Sequence, residues 1–365
     1  MTSETARFWV GSYPPDGPEG TPGTGEGIWR LELDPVTGAL TGAEAVATPA
    51  PSFLAVSSDG RTVFAAGETS PGAVTRFTVT DDGRLAERER VASGGAGPCH
   101  VVLHPGERAL YVSNYGSGSL GVVPLVRDGA GLRFVGGLAQ VFEHSGSGPV
   151  TDRQEGPHVH SAIVAPGGQH LLVADLGTDE IRRYRIQDDG LLTEDGVAAT
   201  LPPGTGPRQM ALGPGGHLYL VGELSVTVHV LAWTDDARLE PVQVLPACDS
   251  QLASGSQVLP AHVLVAGGRV LVSVRGPDVV ASFAVHDDGA RLEHVADLPV
   301  GGGWPRHFAM ADAPGTGAQG WLVAAVQNAG RVVALAWPPP AEAPAEGPTR
   351  TVQIPFPACV AVSVP

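Results

Sequence analysis

The segment QEGPHVHSAIVAPGGQHLLVADLG, residues 154–177, holds two apolar stretches on either side of a Pro-Gly-Gly turn, preceded by His158 and His160. Glycine in a short turn between apolar stretches predicts a β-hairpin, because glycine adopts the backbone angles of tight turns at little cost. The same pattern returns every 45 to 59 residues, each time led by a proline: Pro51, Pro98, Pro157, Pro207, Pro260, Pro305 and Pro357. The chain is therefore built from a repeated unit.

Each copy continues with a third strand-like stretch and, after a polar turn such as Asp-Asp-Gly, a weaker fourth one. Four antiparallel strands per repeat of this length are typical of a β-propeller blade. The last copy, PACVAVSVP from Pro357, stops after one strand, and the N-terminal RFWVGSY, GIWRLELD and GALTGAEAVA supply three strands without a first.

We therefore predict an all-β fold, a seven-bladed β-propeller forming a single domain over residues 1–365, with four antiparallel strands per blade. The ring closes by pairing of the N-terminal strands with the C-terminal strand, which removes open sheet edges. Two β-sandwiches or a solenoid would leave the half-units at both ends unexplained. Residues 127–155 stretch one interval and predict a long binding loop near the mouth of the central channel.

The composition of the chain limits the classes of binding partner and the cellular compartment that we expect. The formal net charge is −16 and no basic stripe is present, which disfavours nucleic acid and anionic membranes. Three widely spaced cysteines without a CxxC pair predict neither a disulfide framework nor a zinc site. The N-terminus lacks the pattern of a signal peptide, and no apolar run is long enough to span a bilayer. We expect a cytoplasmic protein that is a monomer or a weak homodimer.

Two sets of polar residues converge in a propeller, because the innermost strands begin around one mouth of the channel. The residues just after the repeat prolines include His100, His158, His160, Arg208, His262, Arg306 and His307. The ends of the second strands add Glu68, Asn114, Tyr115, Asp175, Glu223, Arg275, Gln327 and Asn328. A single histidine near a strand end is usually structural, but titratable and cationic groups gathered in one concavity favour a ligand site. The spacing of His158 and His160 predicts that both face the same side of their strand.

Known cofactor and metal motifs are missing from the sequence. It contains no GxSxG elbow, HExxH helix, Walker loop or dinucleotide fingerprint. The richness in arginine also disfavours a bound cation. We expect neither a cofactor nor a catalytic metal.

The combination of QEGPHVHS, NYGSGS and VADLGTD, with GPRQ, GELS, SVRG and PRHF, resembles the lactonase family of seven-bladed β-propellers. That family contains the propeller-type 6-phosphogluconolactonases and is related to the carboxy-cis,cis-muconate cyclases. The resemblance implies cofactor-free hydrolysis of an anionic sugar lactone such as 6-phosphogluconolactone. It implies catalytic roles for His160 or His158, Glu223, Arg208 and Arg275.

A histidine and a carboxylate suit general acid–base catalysis of lactone opening, and arginines suit anion binding. We expect five more residues of the two sets to bind substrate: His100, Asn114, His262, Arg306 and His307. Four positions depart from the family pattern and predict altered specificity: Gln209, Gly222, His262 and Val274. Two other functions use the same residues, a lactone-forming cycloisomerase acting on a carboxymuconate and a propeller that binds a ligand without turnover.

Overall fold

The structure is a computed structural model that describes residues 5–13, 27–129, 131–250, 256–312, 320–339 and 350–363. These residues form seven antiparallel sheets and two 3₁₀ turns, at Pro214–Gly216 and Asp287–Gly289. No α-helix forms within the described ranges. The all-β propeller predicted from the repeat is confirmed.

The strands follow one another blade by blade. The chain begins with β1 (Ala6–Ser12), β2 (Ile28–Leu33) and β3 (Leu40–Val46). Blade 1 contains β4 (Pro51–Val56), β5 (Thr62–Gly67), β6 (Ala73–Val79) and β7 (Leu85–Ala92). Blade 2 contains β8 (Pro98–Leu103), β9 (Ala109–Asn114), β10 (Ser119–Asp128), β11 (Gly131–Phe134) and β12 (Gln140–Glu143). Blade 3 contains β13 (Val159–Val164), β14 (His170–Asp175), β15 (Glu180–Ile186) and β16 (Leu192–Thr200).

The second half of the ring has the same order. Blade 4 contains β17 (Pro207–Leu212), β18 (His217–Gly222), β19 (Thr227–Trp233) and β20 (Leu239–Pro246). Blade 5 contains β21 (Leu259–Ala266), β22 (Arg269–Arg275), β23 (Val279–His286) and β24 (Arg291–Pro299). Blade 6 contains β25 (Pro305–Asp312), β26 (Gly320–Val326), β27 (Arg331–Trp337) and β28 (Thr351–Gln353). Blade 7 joins β29 (Pro357–Val362) to β1, β2 and β3.

Both chain ends contribute to blade 7, as the sequence predicts. Strand β29 pairs antiparallel with β1, from Phe8 opposite Val362 to Gly11 opposite Cys359. The innermost strands β4, β8, β13, β17, β21, β25 and β29 contact one another in turn, and β29 contacts β4. The ring is therefore closed without a free inner edge.

Burial follows the position of each strand in its blade. The second strands β5, β9, β14 and β26 are buried along their whole length, because neighbouring blades cover both of their faces. The fourth strand β7 is mostly exposed beyond Leu85. Seven apolar clusters fill the ring, most of them between adjacent blades.

The segment 127–155 corrects one prediction, because it is only partly a loop. It contains β11 and β12, which both pair with β10, so the outer strand of blade 2 is split into two pieces. Residues 144–155 then run to the mouth of the channel. This last part matters for the site described next.

Candidate active site

A β-bulge occurs near the start of the innermost strand of every blade. In six blades the pairing with the second strand skips one residue: Ser52, Cys99, His160, Arg208, Arg306 and Ala358. In blade 5 the shift falls between Pro260 and Val263. A bulge breaks the alternation of the strand and turns a side chain toward a new direction. All six skipped residues line the channel cavities.

The main cavity, of about 580 Å³, lies where the innermost strands begin. Its lining consists of Glu68, Cys99, Tyr115, Arg153, His160, Glu223, Gln257, Leu259, Trp304, Arg306, Gln327 and Asn328. A second void of about 20 Å³ shares Cys99, His160 and Arg306 with it and is also bounded by Arg208 and His307. That volume is enough for about one water molecule. The shared residues form the floor of the main cavity.

The wall of the cavity is supplied by the residue that follows the second strand in several blades. The backbone N–H groups of Glu68, Tyr115, Glu223 and Gln327 each donate to the carbonyl just before the innermost strand, at 2.8–3.0 Å. This hydrogen bond fixes each residue in the wall of the cavity. Asn114, one position earlier, is fully buried and donates from Nδ2 to Ser93 and Ser119 instead. Tyr115 therefore lines the cavity and Asn114 does not, since one residue along a strand reverses the face.

Glu223 binds three guanidinium groups. Its Oε2 lies 2.6 Å from Arg275 Nη2 and 2.6 Å from Arg208 Nε, and its Oε1 accepts from Arg153 Nη2 at 2.6 Å. The Arg208 Nε–H is out of line for a hydrogen bond, so that contact is purely ionic. Burial would raise the pKa of Glu223, but Arg275, Arg208 and Arg153 together hold it far below its usual value. Glu223 is therefore held as a fixed carboxylate, which makes it a weak base.

Arg275 lies behind the cavity wall rather than in it. Its side chain is fully buried, Nε donates to the Leu259 carbonyl at 3.0 Å, and the guanidinium lies 5.4 Å from the Trp304 ring centroid. Arg208 is also buried, and Nη1 donates to the Ala261 carbonyl at 2.6 Å. Burial and the neighbouring Arg275 lower the pKa of Arg208 to about 10, which leaves it charged at neutral pH. We expected both arginines to contact a ligand directly, but neither lines the main cavity: Arg208 bounds only the small void, and Arg275 lines neither cavity.

Arg306 is the cation of the floor. It lines both cavities, is 8% exposed, and its guanidinium stacks 4.7 Å above the Tyr13 ring. Together with Arg153, Arg208 and Arg275 it makes the site locally positive, against Glu68 and Glu223. An anion is therefore attracted to this cavity although the whole protein carries a net charge of −16.

His160 lies on the floor with its imidazole in the cavity. Its Nδ1 is 3.9 Å from Cys99 Sγ, and the Cys99 thiol donates to the His160 carbonyl at 3.3 Å. Burial first, and then the charge of Arg208, lower the pKa of His160 well below its usual value. Burial also raises the pKa of Cys99. The floor therefore presents a neutral imidazole and a protonated thiol.

His158 does not line either cavity. It precedes β13, stacks on Tyr115 at 4.4 Å between ring centroids, and its Nδ1 lies 2.9 Å from the Tyr115 carbonyl oxygen. Its Nε2 is 3.3 Å from Glu155. Both imidazoles contact the Tyr115 ring, His158 face to face and His160 edge-on at 5.7 Å, but the bulge at His160 interrupts the strand alternation and only His160 lines the cavity. The structure thus separates two histidines that the sequence left equivalent.

His100, His262 and His307 form a layer of rings with Phe53 beneath the floor. His262 stacks on His307 at 3.8 Å, and Phe53 packs against His100 at 4.4 Å and His307 at 5.4 Å. Backbone N–H groups donate to Nδ1 of His307 at 3.3 Å and of His100 at 3.5 Å. Burial lowers the pKa of both to about 3 and that of His262 well below its usual value.

These three histidines are neutral packing groups of the channel. His100 and His262 line neither cavity, and His307 reaches only the small void. Of the five residues that we expected to bind substrate, only Arg306 lines the main cavity. In place of Asn114, the neighbouring residue Tyr115 lines the cavity.

Four residues of the main cavity were not predicted: Arg153, Gln257, Leu259 and Trp304. Arg153 comes from the segment after β12, where the long interval indicated a binding loop but no particular side chain. Trp304 has a positive φ of 74° and is fixed by Asp278, which accepts from the N–H groups of Gly303 and Trp304 at 2.8 Å each. An aromatic residue directly before the repeat proline was the available signal. Gln257 had no signal in the sequence.

Within the described part of the chain, no three His, Cys, Asp or Glu side chains are arranged to hold a metal ion. No helix among the described residues is long and apolar enough to cross a membrane.

The geometry agrees with a known class of protein. The sequence profile of the family described as "Lactonase, 7-bladed beta-propeller" matches residues 7–362, and the chain belongs to this family. A 6-phosphogluconolactonase of Bacillus subtilis (strain 168) is 30% identical over 357 residues, covering 96% of this chain and 97% of its own.

Solved structures give the same picture. The periplasmic gluconolactonase of Pseudomonas aeruginosa superposes with a TM-score of 0.85 at 27% identity, over 99% of each chain. A protein from Lactobacillus plantarum superposes with a TM-score of 0.83 at 25% identity, over 98% of this chain and 99% of its own. The family, the Bacillus relative and the Pseudomonas structure support lactone hydrolysis as the class of activity.

Proposed function

We propose that this protein hydrolyses a sugar lactone with an anionic substituent, such as 6-phosphogluconolactone, without a metal or cofactor. The observation that supports this most is the floor of the cavity, which is lined by both His160, with its neutral imidazole, and Arg306, while Arg208 bounds the void beneath it. A base, a proton donor and fixed positive charge are the groups that opening a cyclic ester requires.

The proposed reaction uses His160 as the proton carrier. A water molecule attacks the lactone carbonyl and gives a proton to the imidazole, and the negative charge that develops on the carbonyl oxygen is stabilised by Arg306 and Arg208. The tetrahedral intermediate then expels the ring oxygen, which takes the proton back from His160. The product is the open hydroxy acid, and the imidazole returns to its neutral form.

The low pKa of His160 in the ligand-free site is relevant to this role. Burial and the arginine charge favour the neutral imidazole, which can accept a proton but does so weakly. A bound anion offsets the field of the arginines and raises the pKa of His160. Substrate binding itself would therefore strengthen the base. Glu223 keeps Arg208 and Arg275 in place throughout.

The test is a panel of substrates with the purified protein. We expect the wild type to open 6-phosphogluconolactone well above the spontaneous rate, and expect chelators to leave that rate unchanged. The substitution His160→Gln should lower kcat by roughly 10²- to 10⁴-fold, the usual contribution of a positioned acid–base group. The matched control His158→Gln, two residues away but outside the cavity, should retain most of the activity.

The panel also separates the other two functions. Turnover of a carboxymuconate alone would assign the site to a cycloisomerase. Absence of any turnover, with an anion still bound at the cavity, would make the protein a ligand-binding propeller. Equal activity of the two histidine variants would remove the proposed base.

The proposed location is the cytoplasm, since Cys99, Cys248 and Cys359 are all free thiols. The relative in Pseudomonas is described as periplasmic. Cell fractionation with an antibody against this chain decides between the two compartments.

A further inference from the structure

We infer that Arg153 and Tyr115 form a separate subsite at the rim of the cavity that binds a phosphate monoester on the lactone. This inference rests on the proposed function and names the substituent that the substrate carries. It separates recognition of the substituent, at the rim, from the chemistry on the carbonyl, at the floor.

The exposure of the four guanidiniums distinguishes Arg153 from the others. Its side chain is 30% exposed, against 4% for Arg208 and 0% for Arg275. Arg306 lies on the floor, where it also lines the lower void. Arg153 is thus the arginine that a group at the solvent side of the cavity meets first.

Arg153 also retains unused hydrogen-bonding capacity. Its Nη2 contacts Glu223 Oε1 at 2.6 Å and the Tyr115 hydroxyl at 3.4 Å. Its Nε and Nη1 make no hydrogen bond to any residue that the structure describes, so three of its five N–H donors are available. A phosphate group accepts two parallel N–H bonds from such a fork, and the Tyr115 hydroxyl supplies a further donor.

The segment that presents Arg153 is held in place at both ends. Gln154, fully buried, donates from Nε2 to the Leu176 carbonyl at 2.8 Å and to Asp179 Oδ1 at 2.9 Å. At the other end His144 lies between Asp175, at 2.6 Å, and the Tyr184 hydroxyl, at 2.8 Å. Both anchors are on blade 3.

A guanidinium fixed in this way loses little freedom when a ligand binds, which favours specific recognition. The neighbouring Glu223 contact does not neutralise it completely, because that carboxylate is shared with Arg208 and Arg275. The rim therefore favours a doubly charged phosphate over a hydroxyl at the same place.

The kinetic test compares two lactones that differ only in this group. We expect Arg153→Gln to lower kcat/KM for 6-phosphogluconolactone by roughly 10- to 100-fold, the range for losing hydrogen bonds to a charged group. The same variant should change kcat/KM for unphosphorylated gluconolactone by less than about threefold. Arg153→Lys, which keeps the charge but not the fork, should lie between. Arg84→Gln, an arginine 59% exposed on the outer turn of blade 1, is the matched control.

A binding experiment separates this inference from the proposed function. Calorimetry with 6-phosphogluconate and gluconate needs no turnover. Tighter binding of the phosphorylated acid by the wild type, lost in Arg153→Gln, supports the subsite even if no lactone is hydrolysed. Equal binding of both acids, binding of neither, or a preference that survives in Arg153→Gln overturns it.

Discussion

The layer of neutral histidines beneath the floor predicts that this fold weakens in mild acid. His100 and His307 have pKa values of about 3 in the folded chain and about 6.5 when unfolded. Between these values the unfolded chain binds the extra proton. The stabilisation is therefore complete above about pH 6.5 and is lost as the pH falls toward 3.

The size of the effect follows from the two pKa values. Going from pH 7.5 to pH 5, each imidazole shifts the balance toward the unfolded chain by about 2 kcal/mol, so the pair accounts for about 4 kcal/mol. The substitution His307→Gln tests this with little disturbance, because Gln209 already occupies the equivalent position in blade 4 and contacts His262 at 3.0 Å. Its side-chain oxygen can accept the Val360 N–H that His307 Nδ1 now accepts.

The assay is denaturant unfolding of wild type and His307→Gln at pH 7.5 and pH 5. We expect the variant to lose about 2 kcal/mol less than the wild type between the two pH values. His286→Gln, at the outer end of β23, controls for removing a histidine as such. If His307→Gln and the wild type lose the same free energy, the imidazole of His307 is not held neutral by burial and the reasoning fails.

Three further outcomes follow from the site. Arg208→Ala should lower kcat by about 10²- to 10³-fold in a pH-stat assay, as removal of an oxyanion-stabilising group does, and an unchanged kcat would move that role elsewhere. Glu223→Gln should reduce the free energy of unfolding at pH 7 by about 3–5 kcal/mol, because Arg208 and Arg275 stay buried without their carboxylate. Since the pKa of Glu223 is depressed, its contribution is present above about pH 4.3 and lost as the pH falls, so the deficit of this variant should shrink in acid; a constant deficit would contradict the pairing. Asp278→Ala should raise KM more than it lowers kcat, because Trp304 loses the carboxylate that fixes its backbone; a shift in tryptophan fluorescence should accompany the change.

The fold could be predicted from the sequence because the repeat makes it redundant. Every blade contains the same order of proline, apolar strand, turn and apolar strand. A misassigned strand in one copy therefore does not change the predicted number of blades. The same repeat shows that the single strand after Pro357 and the three N-terminal strands add up to one four-stranded blade. In the structure, the antiparallel pairing of β1 with β29 joins the two parts of this blade.

The site could be predicted only in part, since its details depend on register. The residues after the repeat prolines do gather at one mouth: His160 and Arg306 line the main cavity, and Arg208 bounds the small void beneath it. The β-bulges could not be predicted from the sequence, because a bulge is defined by the register between two paired strands. They decide that His160 rather than His158 enters the cavity. The same one-residue uncertainty applies to Asn114 and Tyr115, neighbours of which only Tyr115 lines the cavity.

The position of Arg153 in the site could not be predicted from the sequence for a different reason. Its segment has no counterpart in the other blades, so no repeat fixes its place. It is positioned by contacts from Gln154 to Asp179 and from His144 to Asp175, which are distant in the sequence. The protonation states of the site residues could not be predicted from the sequence either, because they depend on burial and on neighbouring charges. Three guanidiniums around Glu223 make a weak base of a carboxylate that would otherwise suit acid–base work.

The most direct measurement is a crystal structure of this protein with bound 6-phosphogluconate, the hydrolysis product of the proposed substrate. The account predicts that the product carboxylate lies between His160 and Arg306 on the floor of the cavity, with the phosphate against Arg153 at the rim. Density for the ligand elsewhere on the propeller, or in the cavity without contact to His160 and Arg306, would contradict it.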